Sequence, residues 1–585
     1  MSTRWKIRPF DRDRVEALAR ESHLPPLVAQ LLLNRGIGEA TAALGFLDAR
    51  LTALHDPANL PGAVEAAARI ASAIAGGRKI VIYGDYDVDG VCGTSLLWSC
   101  LKLAGAREVE YYIPHRVEEG YGVNPEAIVF LARERQAELI VTVDCGISAL
   151  EPARLAREVG VELIITDHHT IGTELPAADV LVHPRLPGSL YPFGELCGAG
   201  VAFKVAWQVC KGFGDGKRAS PHLRDFLVKS LGYVALASVA DVVPIVGENR
   251  LLVKHGLAGI ANDPSVGLRE LLRVSKVDPS RGVNTGQVGF KIAPRINAAG
   301  RLERAMLAVE LLTTEDTVRA GELASTLDEC NARRQAIEQA IVAEAHAMVE
   351  AQGGLGDRGA IVLGRAGWHP GVIGIVASRM VDAYHRPAIV VALGEGISQG
   401  SARSVGGFDL YAAIAACSEG LLSFGGHAAA AGLKLDPAAF DDFARRFDEH
   451  CRSQLSAEQR QRVLIVDAEV DLAAVSLRAV EEIERMEPFG CGNPNPLVAI
   501  SNVRLVDDPR FVGADGKTVQ VRFAQGQSVV KGVAFGGSDR WKGLGKGAVV
   551  SVVAQPQINE YHGRRDVQLL IKDFKVEGGP RAAPA

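Results

Sequence analysis

Between residues 80 and 184, short β-rich runs alternate with helical spans, and this alternation constrains the fold more than any other feature of the chain. The runs are IVIY, EVEYYIP, LIVTVD, LIITD and VLVHP. Such a rhythm is typical of a mostly parallel α/β sheet, because parallel strands need a long crossover connection that is usually a helix. Ligands bind these sheets beyond the carboxyl ends of the strands. The sequence therefore predicts a binding site where these runs end.

Three carboxylates follow the first of these runs. Residues 80–90 read IVIYGDYDVDG, which places Asp85, Asp87 and Asp89 in a turn directly after an apolar strand. Acidic side chains this close together repel one another unless a cation holds them. A solvated acidic turn is the plainer interpretation, and this stretch alone leaves both open.

Further polar side chains stand at comparable positions. Asp144 follows LIVTV, the triplet Asp167, His168 and His169 follows LIIT, and Asp241 is the single acid of the apolar run GYVALASVADVVPIV. Taken singly, each is explained by a helix cap or a hydrogen-bonded core histidine. Taken with the acidic turn, they favour a metal site. Mixed Asp and His ligands without Cys suit two Mn²⁺ or Mg²⁺ ions better than a structural zinc.

The composition excludes few functions, but it indicates the cellular compartment in which the protein works. The chain has 585 residues, 48% of them hydrophobic, which is enough for several packed domains. Because the net charge is −5, contact with a nucleic acid would need a local positive groove. The nine cysteines form no CxxC pair, the N-terminus is charged, and no apolar run reaches a membrane-spanning length. We therefore expect a cytoplasmic protein without a signal peptide or a membrane anchor.

The motifs resemble a known family. GDYDVDG, TVDCGIS, TDHH and SVADVVP occur in the order and spacing of the DHH phosphoesterase superfamily. The segments APRINAAGRL, NARRQAIE, GWHPGVIGIVASR, GSARS, GGHAAAAG and EPFGCGNPNP narrow the resemblance to the RecJ family of bacterial exonucleases. It extends from about residue 56 to residue 571. It implies hydrolysis of single-stranded DNA from the 5′ end to mononucleotides, in DNA repair and recombination.

The resemblance also implies roles for the polar side chains. Two divalent ions, Mn²⁺ or Mg²⁺, would be bound by Asp85, Asp87, Asp89, Asp144, His168 and Asp241. Asp144 is the natural bridging ligand, and the sequence does not say which two acids of the turn face the metals. Other members of the superfamily carry a His upstream of this motif, and an Asp takes that role here. The catalytic set is His169, Asp144 and Asp167: His169 contacts the scissile phosphate or assists the leaving group, and Asp167 orients a histidine.

A second group of residues would bind the DNA. A local basic cluster and Gly-rich turns supply these predicted contacts: Arg295, Asn297, Arg301, His369, Ser378, Arg379, Ser401, Arg403, Gly425, Gly426 and His427. A guanidinium such as that of Arg403 can bind a 5′-terminal phosphate through two hydrogen bonds, which would explain end specificity. The alternatives are that the basic cluster is merely solvated and that GSARS is only a polar turn.

The predicted fold class is α/β multidomain: a parallel-sheet DHH domain, a long connecting helix, a second smaller DHHA1-like α/β domain and an OB-like C-terminal β-barrel. The predicted segments are a helical N-terminal region (1–55), the DHH catalytic domain (56–265), a DNA-contacting segment with the connecting helix (266–350), the DHHA1-like domain (351–455), the OB-like domain (456–576) and a disordered tail (577–585).

Basic and aromatic side chains alternate along the predicted barrel and would form a stacking groove for single strands. They are Arg504, Arg510, Lys517, Arg522, Lys531, Arg564 and Arg565, with Phe511, Phe523 and Tyr561. The alternative is a barrel that only packs the lobes together.

The expected partners are single-stranded DNA, a helicase and a single-stranded-DNA-binding protein, and we expect a monomer that does not associate with membranes. Two other functions stay open. One is a DHH phosphodiesterase of oligoribonucleotides or cyclic dinucleotides, against which the barrel argues. The other is a non-catalytic replication or repair scaffold, whose signature would be the loss of metal ligands.

Overall fold

The structure, a computed structural model, describes residues 3–116, 118–513, 516–561 and 563–577. The chain forms two compact units. The large unit is Leu51–Arg460 with Gly490–Gly492, and the small unit is the chain up to Arg50, Gln461–Phe489 and the chain from Asn493 onward. The N-terminal helices thus share a unit with the C-terminal strands, a pairing that the sequence pattern does not indicate. The six segment boundaries stay a prediction.

In chain order the strands are β1 (Arg4–Ile7), β2 (Ile80–Gly84), β3 (Val109–Tyr112), β4 (Leu139–Val143), β5 (Glu162–Thr166), β6 (Val180–Val182), β7 (Ile361–Ala366), β8 (Ala388–Leu393), β9 (Ser398–Arg403), β10 (Leu421–Gly426), β11 (Ala430–Leu435), β12 (Val463–Val466), β13 (Ala468–Glu469), β14 (Val498–Leu505), β15 (Arg510–Val512), β16 (Thr518–Gln525), β17 (Ser528–Phe535), β18 (Val549–Tyr561) and β19 (Arg564–Val576).

The α-helices are α1 (Arg12–Ser22), α2 (Pro26–Leu33), α3 (Ala40–Asp48), α4 (Ala63–Ala75), α5 (Val88–Leu103), α6 (Pro125–Arg133), α7 (Leu150–Val159), α8 (Gly198–Gly212), α9 (Pro221–Ala240), α10 (Gly247–Asn262), α11 (Val266–Val274), α12 (Thr285–Gln287), α13 (Ala293–Leu302), α14 (Met306–Thr313), α15 (Thr317–Ala351), α16 (Ile373–Tyr384), α17 (Leu410–Ala416), α18 (Phe440–Gln454) and α19 (Leu477–Arg485). A single π-helical turn, Val288–Ile292, precedes α13. Within the described ranges, none of the helices combines the length and the apolar character that crossing a bilayer requires.

The first sheet of the large unit is the parallel sheet that the sequence predicts. Its order is β3-β2-β4-β5-β6, and every neighbouring pair is parallel. Residues of β2 and β4 are buried throughout, as expected for strands covered on both faces. From β2 the chain runs first to β3, on one side of β2, and then to β4, on the other side of β2. The strand order therefore reverses between β2 and β4. Ligands bind such sheets at this switch point.

A long helix leads to the second α/β sheet. The sequence predicts a long connecting helix within residues 266–350. In the structure α14 ends at Thr313 and the long helix α15 begins at Thr317, where the Asp316 side chain accepts hydrogen bonds from two backbone amides. The 35 residues of α15 extend about 52 Å. The second sheet has the order β10-β11-β9-β8-β7, with only β7 and β8 parallel. Its core includes the buried rings of Phe443 and Phe447 from α18.

The C-terminal strands close into a small barrel in the small unit. Its strands are β14, β18, β19, β17 and β16, and the pairing of β14 with β16 completes the ring. Only β17 and β19 pair in parallel among these neighbours. A closed five-stranded barrel of this kind is the OB-fold architecture.

The predicted stacking groove on this barrel needs correction at Phe523. This ring is fully buried in the barrel core, and a Cβ at Gly532 would lie 2.6 Å from its Cε2 atom, so it cannot stack on a base. The alternation of β16 puts Phe523 inside, together with Val519 and Val521. The side chain of Tyr561 and residues 578–585 of the predicted tail lie outside the described residues.

The solvent face of the barrel carries other groups. Arg510, Arg522 and Lys531 line a cavity of about 950 Å³ together with Phe535, whose side chain is 71% exposed. Sequence reasoning missed Phe535, the last residue of β17. Arg522 pairs with Asp507, and Lys531 lies within salt-bridge distance of Asp566.

We expect Phe523→Ala to lower the free energy of unfolding of the small unit by about 3–5 kcal/mol, because it opens a cavity in the barrel core. Phe511→Ala is the control, since Phe511 is 43% exposed and its loss should cost less than about 0.5 kcal/mol. Urea unfolding monitored by circular dichroism measures both. Equal stability of the two variants would contradict the buried position of Phe523.

Candidate metal centre

The acidic turn after β2 is shaped by the start of α5. Asp87 caps this helix, and its Oδ1 accepts hydrogen bonds from the amides of Asp89 at 2.9 Å and Gly90 at 3.1 Å. Short polar side chains cap helices in this way because the first amides lack intrahelical partners. Asp85 and Asp89, on either side, are buried. The Oδ1 atom of Asp85 is buried without a hydrogen-bond partner.

The N-terminus of α8 packs on two of the carboxylates. The amides of Gly198 and Ala199 donate to the two oxygens of Asp89 at 2.7 and 2.6 Å. A Cβ at Gly198 would lie 2.5 Å from the Oδ1 of Asp144, so only glycine permits this approach. Asp144 directly follows β4 and has a φ of 65°, a strained conformation for a residue other than glycine. The positive end of α8 therefore faces the carboxylates.

His168 lies between three of the acids. Its Nε2 is 3.2 Å from Asp144 Oδ1, 3.7 Å from Asp89 Oδ2 and 3.6 Å from Asp241 Oδ2. Asp241 directly follows α9. Both His168 Nε2 and Asp144 Oδ1 are buried without a hydrogen-bond partner. Buried polar atoms are rarely left in this state, so these two atoms are candidates for binding a metal ion.

Asp167 has a different environment from the other acids. Its Oδ1 accepts hydrogen bonds from the amides of His168 and His169 and from His169 Nδ1 at 2.7 Å, and its Oδ2 accepts from the amide of Ile147 at 2.9 Å. Both oxygens are used, so Asp167 fixes the His169 ring. The hydroxyl of Tyr121 lies 3.1 Å from the ring nitrogens of His169.

The pKa values of the acids separate these roles. Burial and then the charge of Asp87 raise the pKa of Asp85 well above its usual range, and burial and then Asp89 do the same for the pKa of Asp144. Burial and then Asp89 raise the pKa of Asp241 to about 8. Without a cation, this group cannot hold all its negative charges at neutral pH.

The Asp167–His169 pair behaves in the opposite way. Burial alone would raise the pKa of Asp167, but the hydrogen bond and charge of His169, with the amide of Ile147, lower it to about 2. Burial alone would lower the pKa of His169, but the hydrogen bond and charge of Asp167 raise it to about 9. The hydrogen bond to Asp167 therefore favours the protonated form of His169.

Three overlapping groups of side chains can hold metal ions. In each group one ligand atom per residue lies within 4.8 Å of the others; the groups are Asp85, Asp87 and Asp144, then Asp89, His168 and Asp241, and then Asp144, His168 and His169. Asp144 and His168 each belong to two groups, a position that suits a ligand between two ions. Carboxylate oxygens with imidazole suit Mn²⁺, and the oxygen-rich group suits Mg²⁺. The partnerless buried atoms of Asp85, Asp144 and His168 indicate that the residues fit divalent cations.

A cluster of arginines lies next to the acidic turn. A Cβ at Gly300 would lie 2.5 Å from the carbonyl oxygen of Tyr86, so α13 packs directly on this turn. The next residue, Arg301, donates to the carbonyl of Gly371 at 2.7 Å. Burial and then the positive charges of Arg116 and other arginines lower the pKa of Arg301 to about 9.

Arg403 completes this cluster at the start of α16. Its guanidinium donates to Ser401 Oγ at 3.1 Å, and a Cβ at Gly374 would lie 3.2 Å from its terminal nitrogen. Burial and then the charge of Arg116 lower the pKa of Arg403. Arginines gathered at a helix N-terminus repel one another and the helix dipole, and an anion relieves this repulsion.

Sequence reasoning missed Arg116. Its guanidinium lies 4.7 Å from the centre of the ring of Tyr86, and Tyr86 is the residue between Asp85 and Asp87 in the sequence. The sequence does contain a signal for it. Arg116 comes shortly after the carboxyl end of β3, and the carboxyl ends of parallel strands lie at the edge of the sheet that also carries the acids.

The structure does not bring all predicted DNA contacts together. The guanidinium of Arg295 is used by Asp328 and by the carbonyls of Lys291 and Val274. Asn297 and Arg379 line a cavity beside α13. His369 accepts a hydrogen bond from the amide of Gly371, and Ser378 donates to the carbonyl of Gly374. Gly425 and Gly426 end β10, and His427 follows them in the hairpin to β11. The amide of His427 donates to the carbonyl of Ala430, which lies opposite Arg403 in the pairing of β11 with β9, so this hairpin is next to the strand that carries Arg403.

Three family models match the chain. They are the DHH family N-terminal domain over residues 79–231, the DHHA1 domain over residues 357–453 and the RecJ OB domain over residues 466–573. These matches confirm the predicted fold class.

Curated relatives match over nearly the whole chain. The single-stranded-DNA-specific exonuclease RecJ of Bacillus subtilis is 40% identical over 98% of this chain and 71% of its own. That of Escherichia coli is 33% identical over 98% of this chain and 100% of its own. The structure of RecJ in complex with Mn²⁺ from Thermus thermophilus aligns with a TM-score of 0.82 and 31% identity, covering 99% of this chain and 80% of that one. A second structure of that protein contains Mg²⁺.

A turn that is distant in sequence, Gly490–Gly492, packs on the loop that follows Asp241. The amide of Ile245 donates to the carbonyl of Cys491 at 2.7 Å, and a Cβ at Gly490 would lie 2.8 Å from Ile245 Cγ1. Gly492 packs on Pro244 in the same loop. The turn Gly490–Gly492 therefore fixes a loop that begins at a candidate metal ligand.

We expect Gly490→Ala to weaken Mn²⁺ binding about tenfold, because the added methyl group pushes Ile245 and the loop away. Ile245→Ala in the same chain removes the clash and should restore most of the affinity. Gly396→Ala is the control, since a Cβ there meets nothing within 4 Å. Calorimetric titration with Mn²⁺ measures each variant. Unchanged affinity in Gly490→Ala would contradict the positioning role.

Proposed function

The chain belongs to the RecJ family, and we propose that it hydrolyses single-stranded DNA from the 5′ end with Mn²⁺ or Mg²⁺, releasing mononucleotides. The observation that carries this proposal is the juxtaposition of a buried acidic cluster with partnerless ligand atoms and a cluster of buried arginines, joined at Tyr86. The acidic cluster is suited to bind cations, and the arginine cluster is suited to bind a phosphate. The relatives from Bacillus subtilis and Escherichia coli are named single-stranded-DNA-specific exonucleases, which agrees with the substrate and the exonuclease activity proposed here.

The metal ligands are proposed to be Asp85, Asp87, Asp89, Asp144, His168 and Asp241. Two ions, when bound, generate a hydroxide nucleophile near neutral pH and offset the charge of the reacting phosphate. Asp144, which belongs to two of the ligand groups, would contact both ions. The amides of α8 fix Asp89, and the cap on α5 fixes Asp87, so the ligands are positioned before any ion arrives.

His169 is proposed as the catalytic side chain that touches the DNA. Asp167, which accepts four hydrogen bonds, fixes the ring and favours its protonated form. A charged imidazole beside the metal cluster can bind the scissile phosphate or donate a proton to the leaving 3′ oxygen. Asp167, predicted from sequence in the catalytic set, is on this account a positioning residue.

End specificity is proposed to come from the arginine cluster. Arg301 and Arg403, with Ser401, lie at the start of α16, and Arg116 is close enough to lower the pKa of both arginines; together they would bind the 5′-terminal phosphate. A terminal phosphate held there places the first phosphodiester bond at the metals, so that one nucleotide is removed at a time. The match to the RecJ OB domain supports a substrate longer than a dinucleotide. Arg510, Arg522 and Lys531 on the solvent face of this barrel can contact a single strand.

Several sequence-based expectations stay predictions. They are a cytoplasmic location, a monomeric state, and cooperation with a helicase and a single-stranded-DNA-binding protein.

Labelled DNA tests the activity. We expect a 5′-labelled single strand to release labelled mononucleotide at once with Mn²⁺, and a 3′-labelled strand to shorten progressively. EDTA should stop both, and blunt duplex should persist. Asp144→Ala should lose hydrolysis while retaining binding of the strand. Attack from the 3′ end, or turnover by Asp144→Ala, would contradict the proposal.

Replacement of Arg403 tests the phosphate site. We expect Arg403→Ala to raise KM for a 5′-phosphorylated strand about 10- to 100-fold, because hydrogen bonds to a charged group contribute roughly 1.5–3 kcal/mol. KM for the 5′-hydroxyl strand should change little. Arg319→Ala, an exposed arginine paired with Glu310, is the control. An equal loss on both substrates would show that Arg403 acts elsewhere.

A further inference from the structure

Two segments position the carboxylates of one ligand group, the Asp89 group of Asp89, His168 and Asp241. The first two amides of α8 hold Asp89, and Asp241 begins the loop that leads from α9 to α10. The separation between α8 and this loop therefore sets the distance between two carboxylates that would bind the same ion. Because the two carboxylates repel one another, something must hold the loop in place.

The side chain of Asn249 joins these two segments. It is fully buried in the first turn of α10, and its Nδ2 donates to the carbonyl of Glu195 at 2.5 Å and to the carbonyl of Pro244 at 3.0 Å. Glu195 lies shortly before α8, and Pro244 lies in the loop after Asp241. One amide group thus holds the loop against the segment that leads into α8.

The hydrogen-bond partners fix the orientation of this amide. Both partners are carbonyl oxygens, which only accept hydrogen bonds, so the nitrogen of Asn249 faces them. Its Oδ1 is buried without a hydrogen-bond partner. A buried acceptor in this state costs free energy, so the side chain stabilises this region through its two donors.

The two residues before it in α10 hold only the α8 side. A Cβ at Gly247 would lie 2.6 Å from the ring of Phe193, and the hydroxyl of Tyr191 donates to Glu248 Oε2. Glu248 Oε1 accepts a hydrogen bond from Nζ of Lys204, in α8 itself, at 2.6 Å. The start of α8 is therefore held at several points that do not involve the amide.

A further link between the two segments is weak. The Sγ of Cys197, which caps α8, lies 3.4 Å from the Oγ of Ser238 near the end of α9. A thiol is a poor hydrogen-bonding group, so this contact holds the segments less firmly than the amide does. Loss of the Asn249 hydrogen bonds should therefore release the loop after Asp241 while α8 stays in place.

The remaining acids are held by other parts of the fold. Asp85 and Asp144 follow β2 and β4, neighbouring strands whose main-chain pairing fixes them, and the start of α5 fixes Asp87. These three acids form a separate ligand group, the Asp85 group. Movement of the loop after Asp241 leaves the Asp85 group in place, so one ion should be affected and the other should not.

We propose that Asn249 is a positioning residue for the ion of the Asp89 group. Its two hydrogen bonds hold the loop against the segment before α8, and this keeps Asp241 within reach of the ion that Asp89 binds. The inference rests on the proposed function, because it takes two divalent ions as the cofactors. Asn249 acts through the two segments and not through contact with the DNA.

Titration with Mn²⁺ tests this selectivity. Asn249→Ala removes the amide, and Asn249→Asp replaces the donor by an acceptor of nearly the same shape. We expect each variant to bind one ion with native affinity and the other about tenfold more weakly. Electron paramagnetic resonance at equal Mn²⁺ should then show isolated ions where the native chain shows a coupled pair.

Leu257→Ala is the matched control. Leu257 is buried two turns farther along α10, so its truncation should lower the unfolding temperature. It should still bind two coupled ions, because it does not touch the loop. If Asn249→Asp does not fold, Asn249→Ala decides the titration.

Hydrogen exchange in EDTA tests the same link without metal. The amide of Ile245, which donates to the carbonyl of Cys491, should exchange about tenfold faster in Asn249→Ala than in the native chain, because the loop opens more often. The amides of Gly198 and Ala199 should exchange at the native rate, since α8 stays held.

Selective weakening of one ion with faster exchange at Ile245 supports the inference. Native Mn²⁺ binding and native exchange in a folded Asn249→Ala chain, or equal weakening of both ions, would overturn it. A native chain that binds fewer than two ions or does not degrade DNA would instead contradict the proposed function. The exchange measurement needs neither metal nor DNA, so it decides the inference in that case.

Discussion

Electrostatic repulsion between carboxylates at one edge of a buried parallel sheet is the constraint on which the site depends. Asp85 and Asp144 follow adjacent strands at the switch point, and Asp241 reaches them from the end of α9. Burial and mutual repulsion raise the pKa values of all three. Two divalent ions would turn this repulsion into attraction, so the fold and the metal chemistry are linked.

Local structure holds the carboxylates in place against this repulsion. The N-terminus of α8 donates two amides to Asp89, and the start of α5 fixes Asp87. Asp144 keeps a left-handed backbone beside Gly198. Both oxygens of Asp89 and of Asp167 accept hydrogen bonds from the protein, but only the Asp167 carboxylate also binds the ring of His169. On the proposed account, Asp167 positions His169 and the other acids bind the metals.

The sequence predicted the parts of this arrangement that depend on strand ends. All five β-rich runs became strands, so the residues that follow them had to meet at one edge. It could not predict contacts that arise from packing between distant segments. Arg116 meets the acidic turn through the Tyr86 ring, and the N-terminal helices join the C-terminal barrel in one unit. Phe523 was misassigned because period-two alternation does not say which face of a barrel strand is inside.

The central claim is that one chain holds a pair of adjacent divalent ions at Asp144. Titration of the purified chain with Mn²⁺, followed by electron paramagnetic resonance, tests this claim most directly. The account predicts two bound ions per chain and a spectrum of a spin-coupled pair, which reverts to isolated ions when Asp144 is replaced by Asn. A single bound ion per chain, or two uncoupled ions, would contradict it.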